Sequence, residues 1–233
     1  MELRINARKI ALTLLVIAIL LTAAHLGGMT ARYVLGHERL LGLIDTFDVN
    51  IENNVPTFFA TFLLVSCAAL LAVIALQPAV AAREAAYWRW LCLIFLFLAV
   101  DEDASLHELL IEPIQRHLPL DGPLFFAWVI PYGLGVLVVG LLFLKFVLRL
   151  PARTRRFVIA AGGLYLAGAL GFELIGGWYL SEYGESENMP YSLLVAGEEF
   201  LEMSGTILFL YALLDFLGER LQGRPLGILI RSR

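Results

Sequence analysis

Six stretches of this chain stay apolar for about the twenty residues that an α-helix needs to cross the hydrocarbon core of a bilayer. They fall at residues 10–29, 57–77, 87–111, 124–148, 156–180 and 191–217. No water is available inside a bilayer to satisfy open backbone groups, so such runs must fold as helices. None alternates in the way a barrel strand would. Composition agrees, with 60% hydrophobic and only 16% charged residues against about 25% charged in soluble domains. The reading is an all-α polytopic membrane protein, a bundle of six transmembrane helices over residues 1–233, forming one domain.

Basic residues orient the bundle. Of the 17 Lys and Arg, all but Arg32, Arg39 and Arg116 flank the N-terminus, the second and fourth connections or the C-terminal tail. The positive-inside rule then sets both termini in the cytoplasm, and only an even number of spans keeps this split. The first span follows a basic segment, but its length and the lack of a small-x-small cleavage site favour an uncleaved helix over a signal peptide. Tyr87, Trp88 and Trp90 are expected at one interface, and Trp128, Trp178, Tyr179, Tyr183 and Tyr191 at the other. The connection at 30–56 reads as an interfacial helix or a lid, with Pro56 opening the second span. The tail at 218–233, basic with an apolar patch, reads as lying on the cytoplasmic membrane surface. Cys67 and Cys92 sit inside apolar runs and are expected as buried thiols with no disulfide. No basic run calls for nucleic acid.

This topology collects acid at one depth. Span three ends in "AVDEDASLHELL", which puts Asp101, Glu102, Asp103, His107 and Glu108 in its outer half. Glu173 falls in the outer half of span five, and Glu198, Glu199 and Glu202 in the first turns of span six. His25 and the loop acids Asp45, Asp48 and Glu52 join the same slab. At helical spacing Asp101 and Glu108 share one face of span three, and Asp103 and His107 another. Glu173 stands four residues from Ala169 and from Gly177, on a small-residue face that favours a close helix neighbour. Asp103 and Glu112 are expected to reach interfacial water, and His37 and His117 to lie in loops.

Charge in lipid is costly without a partner, and no Lys or Arg lies on these turns. The acids must be protonated, face water or share a cation. Carboxylates from several helices with a histidine match the donor sets of helical-bundle metal sites. The expected ligands are His107, Glu108, Glu173, Glu198 and Glu202, with Asp101 or Glu199 as general base or as an orienting group behind the ligands, and His25, Glu102 and Glu52 in support. The cofactor is a divalent metal, Fe, Zn, Mn or Ca, in a site opening to the periplasm. A metal-dependent membrane enzyme acting on a lipid or small periplasmic molecule is the leading reading. Alternatives are an accessory subunit of a membrane complex, and a cation- or proton-coupled transporter or sensor. The almost uncharged inner halves argue against a proton wire across the membrane. A haem protein with His25 and His107 as axial ligands is a remote alternative. The partners expected are the lipid bilayer and a membrane-protein partner or a second copy.

The combination of "ENNVPT", "DEDASLHE", "GFELIGG" and "EEFLEM" resembles a family of uncharacterised bacterial multi-pass membrane proteins with D-E-x4-H-E and E-E-x-x-E-M motifs. The resemblance implies a shared six-helix fold and a shared acidic cluster, and no activity; the location expected is the bacterial inner membrane. Ceramidase-type membrane hydrolases are similar in their acids and histidines near one surface. They need an H-x-x-x-H pair, which is missing among the 4 histidines here.

Overall fold

The computed structural model describes residues 6–37, 39–78 and 80–221. Arg4 and the tail from 222 onward, including Arg224, Arg231 and Arg233, lie outside the described residues. The described residues are helical, with no strand among them. The long helices are α1 (Ala7–Tyr33), α3 (Val55–Ala75), α4 (Ala82–Ala104), α6 (Val129–Arg149), α7 (Ala152–Leu166) continued by α8 (Glu173–Tyr183), and α9 (Met189–Leu221). Two short helices, α2 (Leu43–Phe47) and α5 (Ile111–His117), lie in connections.

Five helical stretches are long and apolar enough to cross a membrane: α1, α3, α6, the continuous Ala152–Tyr183 helix and α9. They mark the chain as a membrane protein in contact with lipid. Helix α4 falls outside this set because charge stands near both its ends, Arg83, Glu84 and Arg89 at one and Asp101, Glu102 and Asp103 at the other.

Helix α9 is the axis of the bundle. In its most apolar window 56% of residues are buried, against 11–44% in the other four candidate spans. Helices α1, α3 and α7 pack along it. Helix α6 shows the opposite character, with Leu134, Leu137, Leu141, Leu142 and Leu148 all exposed. An apolar surface of this kind is unfavourable in water and natural in lipid.

At the basic end of the bundle the core is apolar and aromatic. Phe95 stacks on Phe209 at 4.8 Å, and Trp88 meets Phe146 edge-on at 4.9 Å. Trp88, expected at an interface, is instead fully buried, its indole N–H donating to Glu84 one turn earlier at 3.3 Å. A helix neighbour one turn away satisfies the donor, so the ring is free to fill the core. Trp90 does face outward. Cys67 is buried and Cys92 half-buried, both free thiols.

Small residues bring α7 onto α9. A Cβ on Gly205 would lie 2.6 Å from the Tyr165 nitrogen and 2.8 Å from the Ala161 carbonyl oxygen. Only glycine lets the two backbones approach so closely.

Candidate functional site: an acid-lined end of the bundle

Span three ends earlier than its apolar pattern suggests. Helix α4 stops at Ala104, where Ser105 takes a left-handed conformation with φ 45°. His107 therefore does not share a helix face with Asp103, nor Glu108 with Asp101. The chain folds back, and Asp101 caps the break. One carboxylate oxygen accepts the His107 backbone N–H at 2.9 Å and the Tyr132 hydroxyl at 2.9 Å. The other lies 3.3 Å from His107 Nδ1. A carboxylate only accepts, so Nδ1 carries the hydrogen. Asp101, expected as a base or an orienting group, is placed to orient His107.

The imidazole of His107 rests on Trp128 at 4.6 Å between ring centroids. Trp128 is buried and donates its indole N–H to Glu173 at 2.8 Å. Its expected interfacial role is thus corrected: a buried indole N–H needs an acceptor, and Glu173 supplies one. Tyr191, also expected at the interface, is buried, whereas Trp178 and Tyr183 are exposed.

Glu173 follows a π-helical turn, Ala167–Phe172, set into the α7–α8 helix. The wider turn shifts the register by about one residue. Gly177 consequently packs under Phe125 and Phe126, each 3.3 Å from a would-be Cβ, while Gly168 faces α9. A Cβ on Gly168 would lie 2.7 Å from the Glu198 carbonyl oxygen and 2.8 Å from Glu202 Cγ. Of the small-residue face expected around Glu173, Gly177 packs closely on Phe125 and Phe126, whereas the close approach to α9 is made by Gly168, outside that face.

In the bundle interior, Glu102 is close enough to Glu52, His107 and Asp101 to feel their charge. Glu199 faces Glu102, Glu202, Glu52 and Glu173. Glu198 is within charge range of Glu173, and Glu202 of Glu102 and Tyr165. Glu108 is exposed at the rim, within charge range of Glu52, His107 and Glu173. Among the described residues the Arg ion pairs all lie elsewhere, to Asp45, Asp48, Glu84, Glu112 and Asp215. A void of about 10 Å³ is bounded by Glu102, Glu202, Tyr165 and Thr206 on its polar side and by Leu63, Leu64 and Met203 on its apolar side. As the side chains stand, no three His, Cys, Asp or Glu among the described residues are grouped tightly enough to hold a metal ion.

His25 and two of the loop acids stand apart from this interior. His25 is buried at 1% exposure, its Nε2 3.3 Å from the Ser192 carbonyl and its Nδ1 3.2 Å from the Val49 nitrogen. Asp48 approaches the same Nδ1 at 3.2 Å, and Arg32 reaches Asp45 at 2.8 Å and Asp48 at 3.8 Å. Burial opposes ionisation of Asp48, but His25, the Asn50 N–H and Arg32 together hold its carboxyl below the ordinary value. This set ties the 34–54 connection to α1 and α9. Helix α2 packs on α1, with Ile44 buried against Met29, so the connection contains a short helix.

Glu52 stands at the surface, in the cleft between α2 and α3, within charge range of Glu108 and Asp103. Burial and the charges of Glu108 and Asp103 raise its carboxyl above the ordinary range, against the opposing effects of Ser105 and His107. Asp103 is exposed and Glu112 pairs with Arg116. Tyr132, Trp128, Tyr165 and Gly168 shape the site and were not singled out for it in the sequence.

No curated protein and no solved structure matches the chain. Residues 11–217, nearly all of the described bundle, match a family described as "Domain of unknown function (DUF8692)", and the chain belongs to that family.

Proposed function

We propose that this is a bacterial inner-membrane protein, a single bundle of six spans with both termini in the cytoplasm, that binds a divalent cation among carboxylates open to the periplasm. Helix α4 supplies the sixth span. Its 23 residues reach about 34 Å, enough for a hydrocarbon core of ~30 Å. Its Phe95 and Trp88 are packed against α9 aromatics. With α4 counted, the acid-lined end is periplasmic and the arginine-rich end cytoplasmic.

The observation that carries the reading is the convergence of Glu102, Glu173, Glu198, Glu199 and Glu202 with no Arg or Lys partner among the described residues. Half-buried carboxylates gathered at one end of the bundle repel one another, and one divalent ion relieves the most repulsion. The void beside Glu102 and Glu202 has room for about one water molecule or a bare ion. His107 resembles a metal ligand held by a carboxylate, with Nδ1 on Asp101 and Nε2 unengaged. Donors that are mostly carboxylate oxygens favour a hard ion such as Mn²⁺ or Ca²⁺ over Zn²⁺. Small side-chain movements would have to tighten the cluster around it, since no ligand set is closed as it stands. A bound metal would supply Lewis-acid or water-activating chemistry, which is the enzyme reading.

Proton sharing is the second reading, favoured by the nearness of the Glu173 and Glu198 carboxyls to one another and of Tyr165 to Glu202. It suits a proton-coupled transporter or a sensor. Elemental analysis of the purified protein, with Mn²⁺ and Ca²⁺ titrations, separates the two. The cation reading expects about one ion per chain, lost in Glu199→Gln and Glu202→Gln. No ion, and titrations unchanged in both variants, would reject it in favour of protons.

A further inference from the structure

One ring nitrogen of His25 faces both a donor and an acceptor. Nδ1 lies 3.2 Å from the Val49 backbone nitrogen, whose N–H points at it, and 3.2 Å from Asp48 Oδ1. A lone pair on Nδ1 accepts the Val49 N–H but meets the carboxylate lone pair to lone pair. A hydrogen on Nδ1 donates to Asp48 but meets the Val49 hydrogen head-on. Nε2 has a single partner, the Ser192 carbonyl at 3.3 Å, and an acceptor there requires a hydrogen on Nε2 in both states. One proton on Nδ1 therefore decides which neighbour the imidazole holds. With both nitrogens engaged inside the bundle, His25 has none left for a metal or a haem.

The two neighbours differ in what they do when His25 lets go. Asp48 Oδ1 also accepts the Asn50 N–H at 3.0 Å, and Oδ2 lies 3.8 Å from Arg32, so the carboxylate stays anchored. The Val49 N–H has no other acceptor among the described residues. A buried donor left without a partner is unfavourable, so its release obliges the peptide to turn toward another acceptor or water. The ionisable groups around the ring come from four elements. Asp48 and Asp45 on the connection favour a proton on it, and Arg32, two turns along α1, opposes one while pairing with both acids. Tyr179 of α8 and Tyr191 of α9 pack around the Val49 side chain.

We infer that His25 is a proton-operated latch on the chain that follows Val49. Neutral, it holds the Val49 N–H. Protonated, it releases Val49 and holds Asp48 through a charge-assisted hydrogen bond. The connection stays on the bundle in both states, because Ser192 and Asp48 keep their partners. What turns is the segment leading to Ile51 and Glu52, which line the open cleft of about 560 Å³ between α2 and α3. The ligand of the latch is the proton itself, and histidine is the side chain type that exchanges one between about pH 5 and 8. The latch suits a sensor of acidity at this end of the bundle. It does not depend on what the interior acids bind.

The test is nuclear magnetic resonance of the detergent-solubilised full chain, from about pH 8.5 to about pH 5. Ring nitrogens are isotopically labelled, and His25 is assigned by elimination in His37→Gln, His107→Gln and His117→Gln, which leave the latch intact. At high pH the expected signals for His25 are a protonated Nε2 and a bare Nδ1. As Nδ1 takes its proton, exchange of the Val49 amide hydrogen should speed at least about tenfold, after allowing for the slower intrinsic chemistry at lower pH. The Asn50 amide, held by Asp48, should keep its protection in both states. A neutral His25 with its hydrogen on Nδ1 would overturn the latch. So would a Val49 amide equally protected in both states, or a His25 still neutral at about pH 5. The cation site is read separately by Mn²⁺ titration and stands or falls without the latch.

Discussion

Asp101 satisfies three donors with two oxygens, and that is why a span that carries charge ends in an ordered turn instead of fraying. Two of the donors belong to His107 and the third to Tyr132 on another helix. Tyr132→Phe removes one neutral donor and should cost about 1 kcal/mol. Asp101→Ala strands the His107 N–H and should cost about 1–3 kcal/mol. Thermal unfolding in detergent will show whether the second loss exceeds the first. Asp48 gives a pH prediction. Its carboxyl is lowered from 3.8, so the ionised form stabilises the fold above that value, and the contribution is lost as pH falls through the lower folded-state value. Limited proteolysis of the 34–54 connection should show little cleavage from about pH 7 to about pH 4 and rising cleavage below. Asp48→Asn should be cleaved across the whole range, without the acid transition.

At the scale of elements, the register of the α7–α8 helix against α9 decides which acids meet. The π-turn turns Gly168 toward Glu198 and Glu202 and leaves Glu173 to face Trp128. Gly168→Ala would drive a methyl group into the α9 backbone and should cost about 1–3 kcal/mol by overpacking. It should also weaken any ion binding, because the Glu202 side chain must move. Gly162→Ala is the control. Its Cβ meets nothing within 4 Å, and alanine favours the helix, so stability should hold or rise slightly. Melting temperatures and Mn²⁺ titrations of the pair read both effects.

For the whole molecule, the distribution of charge predicts topology. Reporter domains joined after residue 80 and after residue 150 should report the cytoplasm, and one joined after residue 119 the opposite side. A reporter at 119 that shares the cytoplasmic side would remove α4 as a span. It would also place the acid-lined end on a different surface. The bundle divides its work by depth. Aromatic packing of Phe95, Phe209, Trp88 and Phe146 fixes one end, while the other carries polar groups that lipid alone would not tolerate.

Helical class, membrane residence and the crowding of acids toward one end were legible in the residues themselves. Lipid imposes a length of about twenty apolar residues on each span and penalises every charge inside it, so these features are written locally. The five apolar helices follow that pattern, and α4 departs from it because its charged ends exceed what composition alone allows. The partnerships were not legible. His107 reaches Asp101 because Ser105 breaks a helix that periodicity would continue, and Trp128 reaches Glu173 across 45 residues of chain. His25 carries the same residue type and similar depth, yet it clamps Asp48 and Val49 away from the interior acids. Such contacts depend on a backbone break, a π-turn and the approach of two helices at glycine. Each is a property of the packed bundle, which hydrophobic spacing along one helix does not encode.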